Sequence, residues 1–516
     1  MFQAELKFDD LTAPFDLMDG GLFLGCSWVL PVRHRLLRTI VLESRARVAV
    51  LTYERFPDEP AELLVEQGLG DAALQARLDE LDRHLLDFAA LTIDRANRSV
   101  RYRASPVISV PAYLIADSHG VSIDWDYSRL LRGRRTEIVW DVALAQIAGF
   151  STYGATTIVA GVHRATAGAT LIGTPGGMEV ALPEAVIHDG PHEIVPDADI
   201  EANLFDAVSS LLAARPLDGA RTAVELSGGM DSALTSLAAA TVIGPGLMSV
   251  GAQFAGSMGA AQQQRRMLLC DAGKFDDLTI PAERFAPFSP RSLRRVRHGV
   301  WPEDENYPEM FEAIFGMLQA AGIDALISGL GGDELYLAYE GEEGSRPRNG
   351  DAPCAFLTAK GLESARRATS RYPRGWLQET CWQGAASQSQ RVLRYGLWPI
   401  YPYHHPALAR FVSRLPRSHR LDRRLLRRTL TRVLGNPVFE TDYVKESFSP
   451  VAIRGMNENR DYLIDLVKRS PLSLHPEIDD RAILAASAGD IAELDRDTFN
   501  ALFRALKIFC FFQSDA

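Results

Sequence analysis

A chain of 516 residues is longer than one hydrophobic core usually serves, so two domains are the expectation. Hydrophobic residues make up 47% and charged residues 23%, an ordinary globular composition that excludes a disordered or fibrous protein. A net charge of −11 and a pI of about 5.6 argue against a nucleic-acid binder that relies on overall charge.

No apolar run reaches the roughly 18–20 residues that a membrane span needs, so no membrane partner is expected. Met1 to Asp10 carries three acids and no long apolar core, and no signal peptide is expected there. The five cysteines, Cys26, Cys270, Cys354, Cys381 and Cys510, are scattered and form no CxxC pair. Neither a zinc site nor a disulfide framework is indicated, and a reduced, cytoplasmic setting fits best.

Residues 1–195 read as a β-rich domain. The apolar runs Gly21–Phe23, Arg47–Thr52 and Pro106–Ile115 are broken by Gly, Pro and Asp. Leu74, Leu78, Leu81 and Leu85 recur at helical spacing and predict a helix over Ala72–Ala90. Cys26 is expected to be a buried apolar residue.

Residues 196–516 read as a second domain. An amphipathic helix over Asp197–Ala214 leads into a short buried strand, Thr222–Leu226, and the turn Ser227-Gly228-Gly229. Helical spacing resumes at Asp231. Glycines there permit positive φ, and the N–H groups of a helix's first turn favour an anion. Ser227 and Ser232 add hydroxyl donors. Asp231 adds a carboxylate from which a divalent cation could bridge to phosphate. No Lys follows the glycines, so this is not a Walker A loop.

Leu247–Phe254 reads as a strand, Gln262–Leu269 as a helix and Asp277–Ile280 as a strand ending at Pro281. Such alternation predicts a doubly wound parallel sheet with its ligand at the strands' carboxyl ends. The acidic loop Pro302–Asn306 precedes a helix, Met310–Ala321, and reads as an acidic helix cap. The strand Ala325–Ser328 then delivers Asp333. Two carboxylates, Asp231 and Asp333, facing one another would suit Mg²⁺ together with phosphate oxygens. Gly341–Pro353 is polar, glycine-rich and a candidate for mobility. Residues 360–435 are Arg-rich and helical in pattern, with Arg414–Arg432 expected as a solvated basic face. His404 and His405 read as a helix-starting turn, because no further His or Cys sits at ligand spacing. Asp495–Phe512 is a strongly apolar final helix.

Ser227-Gly228-Gly229-Met230-Asp231-Ser232 resembles the SGGxDS pyrophosphate loop of the ATP pyrophosphatases, which split ATP into AMP and pyrophosphate. Ile327-Ser328-Gly329-Leu330-Gly331-Gly332-Asp333-Glu334-Leu335 resembles the G-x-G-x-D-E segment of the asparagine synthetase branch. Leu421–Arg427 is similar to that family's D-K-x-x-L-R segment, with Arg423 where a Lys approaches pyrophosphate. Tyr443–Ser449 is similar to K-E-x-F-S, which makes Lys445 the expected contact to the α-phosphate and stabiliser of the intermediate's charge. Tyr401–Pro406 is similar to the PFLD segment, with His405 in place of Asp.

The resemblance implies an α/β fold: an N-terminal glutaminase-like αββα domain (1–195) and a C-terminal doubly wound ATP-pyrophosphatase domain with a helical end (196–516). Pro111–Leu114 and Gly161–Gly168 are similar to landmarks of the first. That glutaminase needs a first-residue cysteine, whereas position 2 here is Phe2, so ammonia from glutamine is not expected. ATP and Mg²⁺ are the implied substrate and cation, with ATP held by Ser227, Gly228, Gly229, Asp231, Ser232, Gly331, Gly332 and Arg423. The implied reaction adenylates a carboxylate and couples it to an amine on a small molecule or precursor peptide, as in lasso-peptide macrolactam closure. β-Lactam synthetases use a Tyr and a partner Glu, where this chain has Leu330 and, near the second, Ala386, Ser387 and Gln388. Ammonia-dependent amidation, a tRNA-modifying pyrophosphatase and an inactive scaffold are the other readings.

Overall fold

The computed structural model describes residues 1–187, 190–296, 299–336, 354–369, 372–373, 375–441 and 443–513. The polar loop Gly341–Pro353 lies outside them.

The first half of the chain forms strands β1 (Phe2–Lys7), β2 (Asp16–Met18), β3 (Gly21–Leu24), β4 (Ser27–Pro31), β5 (Leu37–Ser44), β6 (Arg47–Glu54) and β7 (Leu64–Leu69). Helix α1 (Asp71–Glu80) follows, then β8 (Phe88–Asp94), β9 (Ser99–Ala104), β10 (Ala112–Ala116) and β11 (Gly120–Asp124). Helices α2 (Tyr127–Leu130) and α3 (Trp140–Ala148) precede β12 (His163–Ala165), β13 (Thr170–Thr174) and β14 (Gly177–Ala181). Among the described residues these strands make two seven-stranded sheets, ordered β12-β10-β11-β1-β4-β3-β2 and β14-β13-β9-β8-β6-β5-β7. Their inner faces share one core, in which Phe2 meets Tyr102 edge-on with ring centroids 6.1 Å apart. Helix α1 covers the outer face of the second sheet through Leu74 and Leu78. Helix α3 covers the first.

The second half begins with α4 (Ile200–Ala213), β15 (Thr222–Glu225), α5 (Met230–Ile243), β16 (Met248–Gln253), α6 (Gly256–Gly273) and β17 (Asp276–Pro281). It continues through α7 (Pro308–Ala320), β18 (Ala325–Ile327), α8 (Gly332–Leu335), α9 (Ala359–Arg367), α10 (Glu379–Arg394) and β19 (Trp398–Ile400). The order β17-β16-β15-β18-β19 is parallel throughout. Side chains alternate between its faces. Ala223 and Leu326 pack under α7 and α10, whereas Val224 and Ile327 pack toward α4 and α5. The remaining helices are α11 (Pro406–Ser413), α12 (Arg417–Arg420), α13 (Arg424–Leu434), α14 (Ser449–Glu458), α15 (Arg460–Arg469), α16 (Asp480–Ala488) and α17 (Arg496–Phe511). Helix α17 is buried along most of its length and packs on α3, so the chain's last helix closes against its first half. No described helix is long and apolar enough to cross a membrane.

Ionic contacts join the halves. Glu54, fully buried, accepts from Arg215 Nη2 at 2.7 Å and from Trp398 Nε1 at 2.8 Å. Burial alone would raise its carboxyl, but the Arg215 charge and these bonds hold it below the usual range. Arg35 Nε donates to Asp324 Oδ1 at 2.9 Å, just before β18.

Several expectations need correction. The helix predicted over Ala72–Ala90 ends at Glu80, because Phe88–Ile93 is apolar on both faces and pairs between β6 and β9. Leu85, counted on its buried stripe, is 46% exposed. Within Pro106–Ile115 only the part from Ala112 is strand. Cys26 is exposed, in the turn between β3 and β4, where its N–H donates to Asp10 Oδ2 at 3.0 Å. The acidic loop gives α7 no side-chain cap, and its Pro302 and Glu303 line a small cavity beside Tyr113 and Tyr127. Asp304 is buried against Arg391, and Glu303 against Arg164. The basic face is incomplete too, since Arg420 is buried and Arg423 points inward. His405 does start a helix: its Nδ1 accepts from Ala407 N at 3.2 Å.

Candidate active site

The turn after β15 is built as its residues dictate. Gly228 has φ +87°, a conformation that favours glycine, and a Cβ there would lie 3.1 Å from Gln262 Cγ. Ser227 Oγ accepts from Gly229 N at 3.1 Å and lies 3.0 Å from Ser232 Oγ. The serines therefore brace the loop from within. Helix α5 begins at Gly229 with no side-chain cap, which leaves its first-turn N–H groups directed outward. Gln262 Nε2 donates to Ser227 O at 2.7 Å, and Arg265 Nε to Gly228 O at 2.9 Å, fixing the loop from α6. Arg265 also pairs with Glu446 and stacks over Tyr443, linking the loop to the segment that carries Lys445.

The second glycine segment packs directly on the first. A Cβ on Gly329 would lie 2.5 Å from Ser232 N, and one on Gly332 2.5 Å from Asp231 Oδ1. Only glycine allows this approach. Gly331 (φ +94°) turns against Cys381 and His404. Gly331 and Gly332 thus serve close packing and the delivery of Asp333.

Four charged side chains converge above this junction. Arg423 Nη1 donates to Asp231 Oδ2 at 2.8 Å and to Asp333 Oδ1 at 2.6 Å. Lys445 Nζ donates to Asp333 Oδ2 at 2.9 Å. Burial pushes the Asp231 carboxyl up to about 7, with Arg423 pulling against it and Asp333 adding to it. Asp333 is held below the usual range: burial opposes this, but the Lys445 bond and the Arg423 charge prevail. The gradient is sensible, because Asp333 is 52% exposed and has two cations beside it.

Asp231 Oδ1 is buried and accepts no hydrogen bond from the described residues. An acceptor with an open lone pair, facing a second carboxylate, fits a hard cation. Among the described residues no group of three or more His, Cys, Asp and Glu gathers as a metal site. A cation here would take its remaining oxygens from a phosphate and water, as Mg²⁺ commonly does.

All the candidate residues thus meet at one edge of the parallel sheet: Ser227, Gly228, Gly229, Asp231, Ser232, Gly331, Gly332, Asp333, Arg423 and Lys445. Sequence reasoning missed Gln262, Arg265 and Glu446. Gln262 and Arg265 fall on one helical face, three residues apart, which was the available signal. It also missed Glu225, an acid ending an otherwise apolar strand. No protein-family model matches this chain, and no curated protein matches it.

Proposed function

We propose that this chain is an ATP-dependent, AMP- and pyrophosphate-forming ligase that adenylates a carboxylate and joins it to an amine. The observation that carries this reading is the convergence of Asp231, Asp333, Arg423 and Lys445 on an uncapped helix N-terminus. That is an anion seat with a cation site beside it.

In this reading the α5 first turn and the Ser227–Gly229 loop receive the β- and γ-phosphates, with Arg423 gripping them once it releases the carboxylates. Asp231 and Asp333 would hold Mg²⁺, which neutralises charge on the departing pyrophosphate. Lys445, 61% exposed, is free to swing toward the α-phosphate and the oxyanion of the next step. The carboxylate oxygen bonds to the α-phosphorus, pyrophosphate leaves, and an amine then displaces AMP.

The two facing seven-stranded sheets with flanking helices support a glutaminase-like first domain, and Phe2, buried at the start of β1, offers no thiol. The amine would then come from outside glutamine hydrolysis, as in macrolactam or related natural-product closure on a small molecule or precursor peptide.

The test is a screen of carboxylic acids and precursor peptides with ATP and Mg²⁺. The expected result is pyrophosphate and AMP in equal amounts with a compatible amine. Release of ADP and phosphate instead would overturn the reading.

A further inference from the structure

The parallel sheet carries a second polar feature that the nucleotide reading does not use. Val224 pairs with Ile327, and Ile327 with Ile400, so the next residues, Glu225, Ser328 and Tyr401, form a row across three strands at their carboxyl ends. By alternation Glu225 lies on the face of Ala223, toward α7 and α10 and away from α5. Gln388 of α10 reaches it there, its Nε2 donating to Glu225 Oε1 at 2.9 Å. Gln388 is only 4% exposed, and its other amide atom, Oε1, has no partner among the described residues. Leu330, from the segment that delivers Asp333, packs at Gly384, one turn before Gln388.

The acids gathered here are without a cation of their own in the row. Glu225 is near enough to Glu305 for each charge to oppose the other, and Tyr401 feels both. Glu305 has Lys507 and Arg391 among its neighbours, whereas the groups acting on Glu225 are Ser328, Glu305 and Gln388. Gln388 Nε2 and Ser328 meet Glu225, which leaves Gln388 Oε1 as the buried acceptor without a donor, a costly state. The matching ligand brings several N–H groups and positive charge.

We propose that the space beside Glu225 and Gln388 is a recess that receives the amino group of the acceptor as a primary ammonium, held by Glu225 and by Gln388 Oε1. The inference rests on the adenylating reading and names the acceptor's class within it. The row stands at the carboxyl edge of the same strands whose loops carry Asp231 and Asp333, where parallel sheets present substrates. Burial pushes the Glu225 carboxyl up to about 7, a range suited to proton exchange near neutrality. Glu225 takes one proton from the ammonium, and the freed lone pair forms the C–N bond to the activated carbonyl carbon. The C–O bond to AMP breaks with its electron pair on the phosphate, and the nitrogen's second surplus proton leaves to solvent.

The experiment measures binding of n-butylammonium by saturation-transfer NMR, with n-butanol as the uncharged control and Mg²⁺–ATP binding measured in parallel. The expected result is binding of the ammonium and not of the alcohol. Glu225→Gln should weaken it about tenfold, the value of one charge-assisted hydrogen bond, with nucleotide binding unchanged. Gln388→Leu, which removes the orphan acceptor, should weaken it as well. Equal binding of butanol, or undiminished ammonium binding in Glu225→Gln, would overturn the proposal. Ammonium binding by a protein that holds no nucleotide would uphold this recess while sinking the ATP reading.

Discussion

The Arg423 guanidinium lies 2.8 Å from the Asp231 carboxylate, 192 residues away in the chain. Arg423 belongs to the helical end of the molecule and Asp231 to the loop after the central strand. Their pairing ties the nucleotide loop to the segment that precedes α13. Asp231→Ala removes both the open cation ligand and this tie. Pyrophosphate release should fall on the order of 10²–10³-fold, the usual effect of removing one group that stabilises transferring charge. Turnover within a few-fold of the parent, measured by a coupled pyrophosphate assay, would contradict the assignment.

Gly329→Ala should damage the site without altering any charge. Its new Cβ would meet Ser232 N at 2.5 Å and Asp231 C at 2.7 Å, both backbone atoms that cannot turn aside. Overpacking of this kind costs about 1–3 kcal/mol. A lowered urea midpoint together with weakened Mg²⁺–ATP binding is the expected pair of observations.

Glu54→Ala should separate the halves. Arg215 would be left as a buried cation, with the Trp398 indole N–H also stranded. Breaking one side of a buried pair typically costs about 3–5 kcal/mol. Chemical denaturation is the check, and replacing Glu54 and Arg215 together by apolar residues should recover part of the loss.

His404 makes the fold acid-sensitive. It is fully buried, neither ring nitrogen has a partner among the described residues, and burial lowers its pKa to about 3. Between about 3 and the unfolded value near 6.5, the unfolded chain binds a proton that the folded one refuses. Its contribution is therefore whole above about pH 6.5 and is lost as pH falls through that window. At pH 4.5 the loss amounts to about 3 kcal/mol. His404→Phe, which keeps a ring against Tyr401, should flatten this part of the urea-midpoint profile between pH 7 and 4.5.

Cys26 should react with a maleimide in the native protein, while Cys381 and Cys510, both buried, should react only after unfolding. Mass spectrometry of the labelled protein reads this directly.

The site was legible in the sequence because its chemistry is local. Ser227 to Ser232 and Gly329 to Asp333 each pack turn, donor and carboxylate into six residues or fewer, and the strands before them are short and apolar. Asp231 and Asp333 could be brought together on paper because alternating strands and helices permit few arrangements. What stayed hidden depends on distant partners. Phe88–Ile93 reads as the tail of a helix until β6 and β9 claim its backbone. The acids of Pro302–Asn306 read as a helix cap until Arg391 and Arg164 arrive from far along the chain. Glu225 gave no signal on its own, since its meaning comes from Gln388, 163 residues later.

Asp422 and Arg423 both adopt left-handed backbone angles, φ +52° and +56°, where side chains cost about 1–3 kcal/mol each. The arginine that closes the carboxylates is therefore mounted on a cocked hinge. Under the proposed function, an arriving triphosphate would have to displace Arg423 from the two carboxylates, and each displacement would give the kink a chance to relax. Substrate entry and a change in chain path then become one event, so the seat should answer a full ligand more sharply than a lone phosphate.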